Sequence, residues 1–159
     1  MKIKVLFICI HNSARSQMAE AYLKQIGGEE RFHVESAGFE QAPINQYAIK
    51  VMAEEGIDIS QNTSDSVFDF FEEGKHFHYV VTVCEDGFAQ KCPIFPGAVD
   101  LVKLFFDDPS SLNGTDEEKL VNTRIIRDQI KTEIKQFVQF LEDNDYELKK
   151  YSAIPKLIK

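Results

Sequence analysis

The chain has 159 residues, 43% of them hydrophobic and 28% charged, which fits one globular domain with a full core and excludes a disordered chain. Its 26 acidic against 18 basic residues leave a net charge of −8, which argues against nucleic-acid binding through a basic surface but leaves room for a small buried basic pocket. No apolar run nears the roughly 18 residues of a membrane span, and an odd cysteine count, 3, excludes a fully paired secreted framework and points to catalytic or redox thiols.

Lys2 to Ile8 is β-branched and aromatic with little alternation, as in a strand buried on both faces. Two lysines before an apolar stretch mimic a signal peptide, but the run stops at Ile10 with no small-residue cleavage site behind it, so a strand in a cytoplasmic protein is expected. From Arg15, the residues Met18, Ala19, Tyr22, Leu23 and Ile26 recur at helical spacing and Gly27-Gly28 stops them. Phe32 to Ala37 reads as a second strand running into Gly38. A second helical pattern, Ala48, Val51, Met52 and Glu55, follows Pro43 and ends at Gly56.

Thr63-Ser64-Asp65-Ser66 offers N-cap chemistry ahead of a short helix through Val67, Phe68, Phe70 and Phe71. His78 to Val83 is a third strand ending at Cys84, and residues 85–97 read as a long irregular loop containing Cys92. Ala98 to Phe106 is a fourth strand that runs into Asp107-Asp108-Pro109. Thr115 and Glu118 form a capping box for a long last helix whose stripe runs from Leu120 to Leu141. Alternating strands and helices predict an α/β three-layer sandwich, a four-stranded parallel sheet flanked by helices. One catalytic domain is expected over residues 1–142, with a polar, loosely packed tail over 143–159.

The chemistry concentrates at Cys9-Ile10-His11-Asn12-Ser13-Ala14-Arg15-Ser16, between the first strand and the first helix. A thiol there lies under a ring of backbone N–H groups and the positive end of a helix dipole, with Arg15 offering a planar fork to a tetrahedral oxyanion and Ser13 and Ser16 adding hydroxyls. Residues Ile10 to Ala14 are the expected oxyanion-binding loop and Cys9 the nucleophile, rather than a buried structural thiol. Ligands of open α/β sheets bind beyond the carboxyl ends of strands, which brings Cys84 toward the same crevice. His76 and His78 show no zinc spacing.

Cys9 to Ser16, extended by Gln17-Met18-Ala19-Glu20, resembles the low-molecular-weight phosphotyrosine phosphatase superfamily, especially its arsenate reductase branch. Further matches are Ser36-Ala37-Gly38, Gly56 to Ser60, Val80 to Cys84, Cys92 to Pro96, Phe106 to Pro109 and Arg124 to Asp128. The resemblance implies that Cys9 attacks arsenic with Arg15 and Ser16 supporting it, and that Asp108 protonates the leaving oxygen. Cys84 then attacks Cys9, releasing arsenite, and Cys92 attacks Cys84, leaving a Cys84-Cys92 disulfide for thioredoxin.

Cys84 and Cys92 lie eight positions apart, one more than in the thioredoxin-coupled members that the chain resembles, so glutathione with glutaredoxin stays open as the reductant. Phosphate and sulfate are the expected competing anions, and a monomer without nucleic-acid or membrane partners is expected. Two other functions stay open: a protein tyrosine or acid phosphatase using Cys9, Arg15 and Asp108, and a non-catalytic redox-sensing or oxyanion-binding module. No cofactor is required. The resemblance also implies that Asn12, Glu20, Ser36 and Asp65 can hold a potassium ion behind the loop, with a metal-free hydrogen-bond network as the alternative.

Overall fold

The computed structural model describes residues 1–84 and 91–152. The first part of the expected 85–97 loop and the end of the tail lie outside the described residues. Strands β1 (Ile3–Cys9), β2 (Phe32–Gly38), β3 (Tyr79–Thr82) and β4 (Asp100–Lys103) form one four-stranded sheet in the order β2-β1-β3-β4. Every pairing is parallel. The chain leaves β1 toward β2 on one side and later returns to β3 on the other, so the order reverses between β1 and β3. In such a sheet the crevice outside the strand carboxyl ends at this point is the natural ligand site, and Cys9 is the last residue of β1.

The pleat sorts β1 into two cores. Val5, Phe7 and Cys9 join the larger cluster with residues of helices α1 (Arg15–Gly27), α2 (Gln46–Ala53) and α4 (Asp116–Asp143). Leu6 and Ile8 point the other way, onto Val67 and Phe70 of helix α3 (Val67–Glu72), with Phe77 and Phe95 completing the smaller cluster. This is the period-two alternation of a strand buried on both faces, and it aims Cys9 at the side from which α1 departs.

The capping box at α4 forms as expected: Thr115 Oγ1 accepts from the Glu118 N–H at 3.2 Å while Glu118 Oε1 accepts from the Thr115 N–H at 3.4 Å. The start of α3 differs. Ser66 occupies the N-cap without a side-chain cap, and the hydroxyl of Ser64, two residues before it, donates to the Ala42 carbonyl at 2.6 Å. β4 is also shorter than the apolar run predicts. It is an edge strand with β3 alone as a neighbour, so its pairing is limited by the length of β3, and Phe105 beyond it is 63% exposed.

The tail departs most from expectation. Through Ser152 it is docked rather than loose: Tyr151 is 7% exposed and packs edge-on against Phe137 with ring centroids 5.2 Å apart. The Tyr79 hydroxyl donates to the Lys149 carbonyl at 2.5 Å and accepts from its N–H at 3.0 Å. Buried Asp100 accepts from the Ser152 hydroxyl at 2.6 Å and its N–H at 2.8 Å, so a carboxylate at the head of β4 is satisfied by the tail. Hydropathy hid this because the docking is done by scattered residues, Tyr146, Leu148 and Tyr151, with backbone groups and the Ser152 hydroxyl, and not by an apolar stripe. Tyr151→Ala is expected to cost about 3 kcal/mol, the range for a buried aromatic truncated to alanine; urea unfolding checks this, and an unchanged midpoint contradicts a docked tail.

Candidate active site

β1 delivers Cys9 to the loop, and α1 begins at Arg15 directly after it. The N-cap of α1 is Ala14, with no side-chain cap hydrogen bond, so that end of the helix dipole faces the loop without a capping oxygen. Cys9 Sγ accepts the Asn12 N–H at 3.1 Å and lies 2.8 Å from Ser16 Oγ. Asn12 Nδ2 donates to Ser16 Oγ at 2.8 Å and to Ser36 Oγ at 2.9 Å, and these use both of its hydrogens. Against a Cys9 thiolate, which can only accept, Ser16 donates to the sulfur, and Ser36 donates to Glu20 Oε1 at 2.5 Å.

Asn12 is the hub of this network. It has φ 52°, a left-handed conformation that asparagine tolerates better than most residues, and its Oδ1 accepts the Asp65 N–H at 2.9 Å. Backbone on the far side grips the loop carbonyls: Ile10 O accepts from Glu40 N at 2.8 Å, His11 O from Ala42 N at 3.3 Å and Ser13 O from Asn45 N at 2.8 Å. In a planar trans peptide the C=O and the following N–H point in opposite directions. Holding these carbonyls outward therefore turns the N–H groups of His11, Asn12 and Ala14 inward, as an anion nest requires. Gly38, paired with Cys9 across the sheet, allows the approach. A Cβ there would fall 2.7 Å from Asn12 N and 2.8 Å from Ile10 O.

Arg15 is 2% exposed. Its Nη1 donates to the Phe106 carbonyl at 3.0 Å and its Nη2 lies 3.5 Å from Asp108 Oδ2. Asp108 also caps the following single turn by accepting the Ser110 N–H at 2.9 Å. Of the two neighbouring aspartates, Asp108 is therefore the one beside the loop, and Asp107 is exposed. His11 lies at the rim, with its Nδ1 3.1 Å from the Glu40 carbonyl.

No disulfide joins the cysteines. Cys84 is buried in the larger cluster together with Cys9, just beyond β3. Cys92 is packed instead against the smaller cluster on the opposite face of the sheet, and burial pushes its thiol up to about 11. The structure thus brings Cys9 and Cys84 into one core and packs the half-buried Cys92 against the other.

The residues considered for a potassium ion are brought together in part. Asn12, Ser36 and Glu20 form the hydrogen-bonded chain described above, and Lys24 Nζ pairs with Glu20 Oε2 at 2.6 Å. Asp65 contributes its backbone to Asn12. Partial burial, then the charges of Glu20, Glu35 and Glu73, raise its carboxyl above the usual range, with Lys75 opposing. Among the described residues no group of three or more His, Cys, Asp or Glu side chains could hold a metal. The donors that are present are all hard oxygens, which fits an alkali cation and not a soft metal.

Two anchoring residues carry little sequence signal. Gln17 is 2% exposed and reaches back to the loop, and Asn62 donates to Gln17 Oε1 at 3.0 Å. The one sign of them is a polar side chain in the first turn of α1, beside the core positions Met18 and Ala19.

Fold and site together define a class: enzymes that hold a tetrahedral oxyanion in a strand-loop-helix cradle over a cysteine nucleophile. Residues 4–147 match the family described as low molecular weight phosphotyrosine protein phosphatase, and the chain belongs to that family. It is 42% identical over 135 residues to an arsenate reductase of Bacillus subtilis (strain 168), covering 85% of this chain and 94% of that protein. Among solved structures it resembles an arsenate reductase in the reduced state, with a TM-score of 0.68, 30% identity and coverage of 89% of this chain and 99% of that one. It also resembles the thioredoxin-dependent arsenate reductase of Corynebacterium glutamicum, with a TM-score of 0.65, 28% identity and coverage of 90% of this chain and 63% of that one.

Burial of Cys92 has a direct consequence for its reactivity. An unfolded cysteine titrates near 8.5, whereas Cys92 in the fold titrates at about 11. Its contribution to stability is full below the unfolded value and is lost as pH rises toward the folded one. At pH 8 its alkylation by iodoacetamide is expected to be on the order of a hundredfold slower than in the unfolded chain; equal rates, read by mass spectrometry, contradict the buried position.

Proposed function

We propose that the protein is an arsenate reductase that runs on a three-cysteine relay. The observation that carries this reading is the position of Cys84, buried in the same cluster as Cys9 at the carboxyl end of the adjacent strand. Hydrolysis of a phosphate ester needs a thiolate, an arginine and an acid. Reduction of arsenate needs two electrons as well, which a second thiol supplies. The naming of the curated relatives as arsenate reductases supports the same choice.

In the first step the Cys9 sulfur attacks arsenic within the nest of loop N–H groups. An As–S bond forms and an As–O bond breaks, and Asp108 gives its proton to the departing oxygen, which leaves as water. Arg15, exchanging its contact with Asp108 for the anion, neutralises the charge on the remaining oxygens. Cys84 then attacks the Cys9 sulfur. The As–S electron pair goes to arsenic, so As(V) becomes As(III), arsenite leaves, and a Cys9-Cys84 disulfide remains. Cys92 attacks Cys84 and restores the Cys9 thiolate.

The resulting Cys84-Cys92 disulfide takes two electrons from an external dithiol, for which we propose thioredoxin, as in the thioredoxin-dependent relative; glutathione with glutaredoxin is the variant. In the cycle Cys92, packed against the smaller cluster, must come to Cys84 of the larger one, with Cα atoms within about 7 Å for the disulfide. The cycle also needs a reducing compartment, and we place the protein in the cytoplasm as a monomer. Asn12, Glu20, Ser36 and Asp65 would hold a potassium ion, whose charge would offset the repulsion between the two carboxylates.

With thioredoxin, thioredoxin reductase and NADPH, the protein is expected to consume NADPH in an arsenate-dependent manner, and Cys84→Ser and Cys92→Ser are expected to lose multiple turnover. A phosphatase using Cys9, Arg15 and Asp108 alone would keep its main activity in both variants. That result, with no arsenate-dependent oxidation by either reductant system, contradicts the reductase.

A further inference from the structure

Three of the four carbonyls between Ile10 and Ser13 are held from outside by backbone N–H groups of the segment that follows β2. The remaining one, of Asn12, is held by a side chain. Gln17 Nε2 donates to Asn12 O at 3.1 Å and to Thr63 O at 3.2 Å, while Gln17 Oε1 accepts from Asn62 Nδ2 at 3.0 Å. The amide orientation is set by this arrangement. Turned over, its oxygen would face two carbonyl oxygens and its NH2 would face the Asn62 donor.

We propose that Gln17 is a positioning residue of the oxyanion cradle: by pinning the Asn12 carbonyl outward it aims the Ser13 N–H of the same peptide at the bound anion. The inference rests on the loop being an oxyanion site. The chain has no cis peptide bond among its described residues, so the Asn12 carbonyl and the Ser13 N–H point in opposite directions. The neighbouring peptide displays the result. His11 O is held outward by Ala42 N at 3.3 Å, and the Asn12 N–H on its other side reaches Cys9 Sγ at 3.1 Å.

Gln17 differs from the backbone donors in being a side chain that can be replaced, and the peptide it holds follows the left-handed Asn12, at φ 52°. A flip of the Asn12–Ser13 peptide would put a carbonyl oxygen where an anion must sit. The Gln17 amide, buried and oriented by Asn62, opposes that flip. Asn62 is exposed and so offers a way to loosen Gln17 without disturbing the core.

The test is titration of reduced protein with inorganic phosphate, by calorimetry well below the unfolding midpoint, beside the rate of Cys9 alkylation without phosphate. Gln17→Met, which keeps the shape and removes the donor, is expected to weaken phosphate binding tenfold or more, about the loss of one hydrogen bond to a charged group. Asn62→Ala is expected to weaken it less, in the same direction. Cys9 alkylation is expected to stay near the wild-type rate in both, because the Asn12 N–H is set by Ala42 and not by Gln17.

Unchanged phosphate affinity in a folded Gln17→Met protein overturns the proposal, even if its thermal midpoint falls, since that is the mark of a structural role alone. Equal losses of phosphate affinity and Cys9 reactivity overturn it as well, because the whole loop would then have moved. If Gln17→Met does not fold, unchanged affinity in Asn62→Ala overturns it. Wild-type protein that binds phosphate but does not reduce arsenate removes the reductase reading and leaves this inference standing.

Discussion

The site depends on one backbone requirement: the loop after Cys9 must show its N–H groups to the interior and its carbonyls to the outside. Asn12 accomplishes the reversal by adopting a left-handed conformation, and its side chain is spent on keeping it there, bonded to Ser16, Ser36 and the Asp65 backbone. Removing any one of these would leave a buried donor or acceptor without its partner, which costs more than the bond itself gains. Gly38 belongs to the same constraint, because its missing side chain lets β2 and its continuation lie directly on the loop. The placing of Cys9 and of the nest around it is therefore a product of the sheet register, since pairing of Cys9 with Gly38 brings the two segments together.

A second feature of the fold is the separation of the thiols. The pleat of the sheet separates the interior into two clusters, with Cys9 and Cys84 on one side and Cys92 against the other. Burial pushes the Cys92 thiol up to about 11, which lowers its thiolate fraction below that of an ordinary cysteine, and the thiolate is the nucleophile. In the proposed relay, this position makes movement of the Cys92 segment part of the cycle. Ile94, two residues on, is 89% exposed, so the apolar hold on this segment comes mainly from Phe95 and Cys92 itself.

Features governed by local chemistry were legible in the sequence. The uninterrupted apolar run of β1, the Gly27-Gly28 stop and the Thr115–Glu118 capping box each specify their structure within a few residues, and all appear in the fold. The Cys9 to Ser16 pattern located the cradle for the same reason: strand end, loop and helix start are contiguous. Features that depend on distant partners were not. Nothing near Gln17 reveals that its amide meets Thr63 and Asn62, and nothing in the polar tail reveals that Tyr151 completes an aromatic cluster with Phe137 and Phe140. The length of β4 likewise depends on what β3 can pair with, not on the apolar run from Ala98.

The cradle alone does not choose between phosphoryl transfer and arsenate reduction, because the two anions share shape and charge. The choice lies with Cys84 and Cys92. The most direct test is mass-spectrometric disulfide mapping of fully reduced protein after one exposure to arsenate without external reductant. A dominant Cys84-Cys92 bridge, with one arsenite released per chain, is the expected result; three thiols that stay reduced, with arsenate untouched, would contradict the relay.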